Sequence, residues 1–177
     1  MIGLKLTTDN KTFFASLKEG SIGLIISRMI RDTRNCVSVN FGGYDMQTET
    51  YPLWLLQKLF LGAKFTVKVE EITVNSPIIQ RAPEIESHFF EHPKNIGVEL
   101  TLKEEKLSAV VEKGSIHLIV TVLNKEEKTE IDLDFLATNH SNNGDITKYW
   151  CKKNLQLGDE FMIEIKEIEK MTLPVQS

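Results

Sequence analysis

The feature that most limits what this chain can fold into is that it is written twice. Shifted by 94 residues, positions 2–29 lie on 96–123 without a gap, and ten of the 28 pairs are identical. They include Gly3/Gly97, Ala15/Ala109, Gly20/Gly114, Ile22/Ile116, Leu24/Leu118 and Ile25/Ile119. Val37/Ile131, Val39/Leu133 and Phe41/Phe135 keep that shift, whereas Trp54/Trp150, Leu59/Leu155, Gly62/Gly158 and Phe65/Phe161 need a shift of 96. The two extra residues therefore entered between Phe135 and Trp150, in what reads as a loop, where insertions are tolerated. Two copies are too few for a solenoid and resemble a fused dimer instead.

Within each copy, apolar residues alternate with polar ones. Val37, Val39 and Phe41 alternate with Ser38 and Asn40; Phe65, Val67 and Val69 alternate with Thr66, Lys68 and Glu70. This is the period of a strand with one buried face. Residues 22–30 and 116–123 are apolar on both parities, which suggests a central strand covered on both sides. Gly20 and Gly114 fall between apolar runs and suggest a hairpin turn. Residues 52–62 and 147–158 suggest short helices. Pro52 fits the first turn, Asp145 or Thr147 fits a cap, and Gly62 and Gly158 fit the stop. Trp54 and Trp150 would anchor these helices to a sheet. The expectation is an α+β fold: a tandem duplication of a β-β-β-β-α-β unit with mostly antiparallel sheets, packed about a pseudo-two-fold axis. Residues 1–73 form the first unit, 74–94 a connector, 95–170 the second unit and 171–177 a tail.

Charge separates the two copies. Residues 1–83 sum to +3, residues 84–94 to −2 and residues 95–177 to −5. Several equivalent positions carry opposite signs, among them Lys5/Glu99, Lys68/Glu164 and Glu70/Lys166. Opposite signs suit either solvated faces that have drifted or faces through which the copies meet. No run of about 18 apolar residues exists, so no membrane span is expected. Residues 1–6 lack the pattern of a secretory leader, and the cytoplasm is the expected compartment. Cys36 and Cys151 occupy non-equivalent places in the copies and read as free packed thiols.

Few residues suggest chemistry. His88-Phe89-Phe90-Glu91-His92 matches the inverted zinc-hydrolase spacing, in which two His bind the metal and a Glu acts as base. Pro93 follows where the helix carrying that motif would continue. Arg28, Arg31 and Arg34 form a basic cluster with Tyr44 as the nearby aromatic, a poor platform for nucleic acid on an acidic chain. No Ser-His-Asp, Cys-His or paired-carboxylate pattern stands out, and neither cofactor nor metal is expected.

The sharpest difference between the copies lies in the second. Glu130, Asp132 and Asp134 point to one face of one strand, where the first copy has Cys36, Ser38 and Asn40. The enlarged loop 139–145 follows, with Asn139, His140, Asn142, Asn143 and Asp145. Departure from the repeat at unchanged core positions marks a face free to specialise. The function expected is a non-catalytic protein-binding module, of the inhibitor or immunity type. Its partner would be a basic protein that the acidic face captures. The alternatives are a zinc hydrolase built on His88, Glu91 and His92, and a nucleic-acid-associated protein.

Overall fold

In a computed structural model that describes residues 1–31, 34–79 and 95–169, every regular element is a strand. The first copy supplies β1 (Ile2–Thr7), β2 (Thr12–Ser16), β3 (Gly20–Arg31), β4 (Arg34–Asp45), β5 (Leu53–Lys58) and β6 (Lys64–Glu71). The second supplies β7 (Ile96–Leu102), β8 (Glu105–Ala109), β9 (Gly114–Lys125), β10 (Lys128–Ser141), β11 (Gly144–Asn154) and β12 (Glu160–Glu167). They form two six-stranded sheets, β2-β1-β6-β12-β7-β8 and β11-β10-β9-β3-β4-β5. All pairings are antiparallel. One buried cluster takes in Leu4, Val67 and Ile163 from the first sheet and Leu24, Phe41, Val120 and Phe135 from the second. This is a β-sandwich, with the core between two inner faces.

The α+β expectation is overturned at residues 52–62 and 147–158, where β5 and the second half of β11 run and no helix forms. The cause is a β-bulge repeated in both copies. Phe41 pairs with Leu55 and Gly42 with Leu53, which leaves Trp54 as the extra residue. Phe135 pairs with Cys151 and Leu136 with Tyr149, which leaves Trp150 in the same position. A bulge lets two successive side chains face inward. Trp54 and Leu55 are both buried, as are Trp150 and Cys151. With Leu59 and Leu155 buried further on, the inward spacing imitates a helical stripe. Each tryptophan packs on its partner strand, with ring centroids 5.5 Å apart for Trp54 and Phe41 and 6.3 Å apart for Trp150 and Phe135. Gly62 and Gly158 still take positive φ, 90° and 93°, but in the turns that lead into β6 and β12 and not at the end of a helix.

Gly20 and Gly114 also differ from expectation. β2 belongs to one sheet and β3 to the other, so the chain crosses between layers there and makes no hairpin. The glycines are needed for another reason. Their φ values are 145° and 143°, and a Cβ would lie 2.1 Å from the Tyr44 carbonyl oxygen or 1.9 Å from that of Thr138.

Exchanging the copies leaves both strand orders unchanged. At the centre of one sheet Ile25 pairs with its own counterpart Ile119, and at the centre of the other Thr66 pairs with Met162. Both sheets are therefore stitched together across the copies, by β3 with β9 and by β6 with β12. Lys64 and Glu164 form an ion pair across this second seam at 3.8 Å.

Two polar side chains tie the layers together. Asn124 donates to the carbonyls of Ile2 and Leu17 at 3.0 and 2.8 Å. Arg28 donates from Nε to the carbonyl of Ile96, the counterpart of Ile2, at 3.0 Å. Residues 75–79 close one side of the sandwich. Ser76 bonds the backbone of Phe14 in β2, and Ile79 donates to Leu53 in β5 at 2.6 Å. Among the described residues no helix is long and apolar enough to cross a membrane.

Candidate functional site: the outer face of the second sheet

The inward residues of β10, namely Ile131, Leu133, Phe135 and Ala137, fill the core and fix its even-numbered residues outward. Glu130 and Asp132 are exposed there, beside Leu123 and Thr121 of β9. Asp134 is half-buried between Ile119 and Lys152, with Oδ1 enclosed and without a hydrogen-bond partner. Lys152 lies over the Tyr149 ring at 5.8 Å. The three carboxylates thus form a continuous acidic stripe on one strand.

The enlarged loop is a hairpin. β10 runs to Ser141, the turn is Asn142 and Asn143, and β11 starts at Gly144 with φ 110°. Ser141 Oγ donates to the Gly144 carbonyl at 2.7 Å. His140 Nδ1 lies 2.6 Å from Asp145 Oδ1, and its Nε2 is enclosed without a partner. Asn139 is exposed and pairs with Ile146. The hairpin carries exposed apolar side chains, with Ile146 58% and Tyr149 51% accessible.

Glu130 and His140 thus share one face, but ten residues of strand, about 33 Å, separate them. The structure brings together Glu130, Asp132 and Asp134 as one group and His140 and Asp145 as another. It does not merge the two groups into a single pocket. Val110, Glu112, Lys113, Asn139 and His140 do line a shallow depression at the hairpin end. Among the described residues no group of three or more His, Cys, Asp or Glu is placed to hold a metal ion. The His88, Glu91 and His92 motif lies outside the described residues.

The basic cluster does not exist as a surface. Arg28 points between the sheets and is fully buried, and burial lowers its pKa to about 10. Its Nη1 reaches Asn35 Oδ1 at 2.6 Å, while Nη2 has no partner. Arg31 is exposed, and the side chain of Arg34 lies outside what is described. The sequence offers no warning, because arginine is ordinarily a surface residue.

One feature of this face escapes a reading of separate strands. β3 is not covered on both sides. Ile25 is 38% accessible on the outer face, and Met29 is half-buried there. From Ser21 to Met29, from Cys36 to Tyr44 and from Ser115 to Leu123, the outward positions of β3, β4 and β9 hold no Asp, Glu, Lys or Arg. His117, whose pKa is lowered by burial and then by Arg31, sits in this belt with Nδ1 2.9 Å from Ser27 Oγ. The corresponding face of the other sheet carries Lys5, Lys64, Lys68, Glu70, Glu99, Glu160, Glu164 and Lys166. The sandwich therefore has one densely charged side and one charge-free belt rimmed by the acidic stripe. Depletion of charge at the centre with charge at the rim is the composition of a protein interface. Comparison with protein-family models, with curated proteins and with solved structures finds no match for the chain.

Proposed function

We propose that this protein is a non-catalytic binding module, of the inhibitor or immunity type, that captures a basic protein in the cytoplasm. The observation that carries this reading is the acidic stripe of Glu130, Asp132 and Asp134 on an outward strand face whose counterpart in the first copy is neutral. Opposite charge raises the rate of encounter and orients the partner before short-range contacts form. The exposed Tyr149, opposite Leu136 on the same outward face, supplies an apolar contact of the kind that anchors interfaces. Asn139, His140, Asn142, Asn143 and Asp145 complete the contact surface around the turn. Cys36 and Cys151 are both free, which suits a reducing compartment.

Affinity capture with the intact protein, followed by association kinetics, tests the reading. Changing Glu130, Asp132 and Asp134 together to Ser should slow association about tenfold at low salt and much less at high salt. Association kinetics that do not respond to the triple change would remove this face from the binding surface.

A further inference from the structure

β2 and β8 are counterparts, the outermost strands at the two ends of the first sheet. In the first copy the outer edge of β2 is taken up by the residues that follow β6. The Asn75 side chain acts there as a short length of strand. Its Oδ1 accepts from the Ser16 backbone N–H at 2.7 Å, and its Nδ2 donates to the Ser16 carbonyl at 2.8 Å. At Ser76 the hydroxyl accepts from the Phe14 N–H at 2.9 Å, and the backbone N–H donates to the Phe14 carbonyl at 2.8 Å. An edge covered in this way is closed to a foreign strand. We propose that the edge of β8 is a docking groove for the residues that follow β12, with Met171 and Thr172 clasping it as Asn75 and Ser76 clasp β2. The proposal does not depend on the acidic stripe or on its partner.

The path of the chain is the first argument. Ile72 donates to the Met1 carbonyl at 2.8 Å, and Ile168 donates to the Asn95 carbonyl at 2.9 Å, so β6 and β12 leave the sheet from equivalent points. Thr172 follows Ile168 at the same spacing as Ser76 follows Ile72. Beside Ile168 the surface holds a groove of about 400 Å³ lined by Asn95, Val110, Glu112 and Ile168. Val110 is the counterpart of Ser16 and Ile168 of Ile72. The groove therefore lies where Asn75 crosses to β2 in the first copy.

The residue types are the second argument, because they changed in step. Ser16 Oγ lies 3.0 Å from Asn75 Oδ1, a polar pair in contact. Their counterparts, Val110 and Met171, are both apolar. If these positions touch, changing one alone would leave a covered polar group without its hydrogen bond, whereas changing both together replaces it by an apolar contact. Thr172 keeps the hydroxyl that Ser76 offers to the strand. That bond goes to backbone, so the replacement of Phe14 by Ser108 does not disturb it.

Two measurements on the full chain test this. Val110→Cys combined with Met171→Cys should close an intramolecular disulfide, because the matching Ser16 and Asn75 side chains touch. Val110→Cys combined with Gln176→Cys should close it at least about tenfold more slowly. Peptide mapping separates these links from any to Cys36 or Cys151. Amide hydrogen exchange reads the same contact without new thiols. Thr172→Val should speed exchange at the Ser108 amide at least about tenfold and leave that of Phe14 unchanged. Equal closure rates for the two cysteine pairs, or Ser108 exchange indifferent to Thr172→Val, overturns the proposal and leaves the edge of β8 to a strand from another chain. Neither readout moves with the association kinetics that test the acidic stripe.

Discussion

Replacing Gly20 by alanine is the most direct probe of how the layers are joined. The Cβ would meet the Tyr44 carbonyl oxygen at 2.1 Å and Asp45 Cα at 3.2 Å. Both contacts are backbone, so no side chain can swing away, and β4 must retreat from β3 by more than 1 Å. Gly20 pairs with Asp45 at the very end of that ladder, so one or two hydrogen bonds go with it. These are worth about 1 kcal/mol each. Holding alanine at φ 145° adds about 1–3 kcal/mol. The sum, about 2–5 kcal/mol, is a large part of the 5–15 kcal/mol that holds a typical domain together. Gly114 meets the Thr138 carbonyl in the same way and should lose as much. The two glycines sit at opposite ends of the β3:β9 ribbon, so their effects should add and the double variant should be unfolded. Gly23 is the internal control. It lies on the same strand with nothing within 4 Å of a new Cβ, and alanine there should be neutral or stabilise by about 0.4–1 kcal/mol. Urea denaturation with a shared slope gives all four values. Midpoints for Gly20→Ala and Gly114→Ala that coincide with that of Gly23→Ala would refute the close-approach argument.

Other outcomes follow from polar groups in or near the core. Asn124→Ala strands the buried carbonyls of Ile2 and Leu17 and should cost about 1–3 kcal/mol in chemical denaturation. Arg28 has a folded pKa of about 10, well below its value in the open chain, so above about pH 10 the unfolded state binds more protons. Its burial penalty is therefore full below pH 10 and is relieved as pH rises from there toward the open-chain value. The stability of Arg28→Met relative to wild type should accordingly fall over that window, and a pH-independent difference would contradict a charged Arg28 in the core. Asp134→Ser removes an enclosed oxygen that has no partner and should leave the melting temperature unchanged or raised, with Glu130→Ser within about 0.5 kcal/mol of wild type.

What could be read from the chain was whatever recurs at short range. Strands such as residues 65–69 and 131–135 follow from strict alternation, because a half-buried strand sorts its side chains with period two. The segment around Trp54 was misread because a bulge puts Trp54, Leu55 and Leu59 inward at a spacing that a helix would also produce. The pairing of β3 with β9 and β6 with β12 is set by contacts between residues about 94 positions apart, to which no local pattern points. The acidic stripe was visible because the second copy could be compared with the first. The charge-free belt was not, since it exists only once three distant strands lie side by side.

The crossed stitching of both sheets has a consequence for how the chain is made. When the first six strands have been synthesised, β3 and β6 each have a bare edge whose neighbour does not yet exist. β9 trails β3 by 94 residues, which at ordinary translation rates is a wait of about 5–20 s. During that interval a nascent chain exposes two strand edges to every other nascent chain on the same messenger, and those chains carry the same complementary edges. Production of this protein should therefore be more sensitive to ribosome spacing and to chaperones that shield emerging strands than its modest length suggests. Slowing initiation should raise the soluble yield more than lowering the temperature of the purified protein's refolding does.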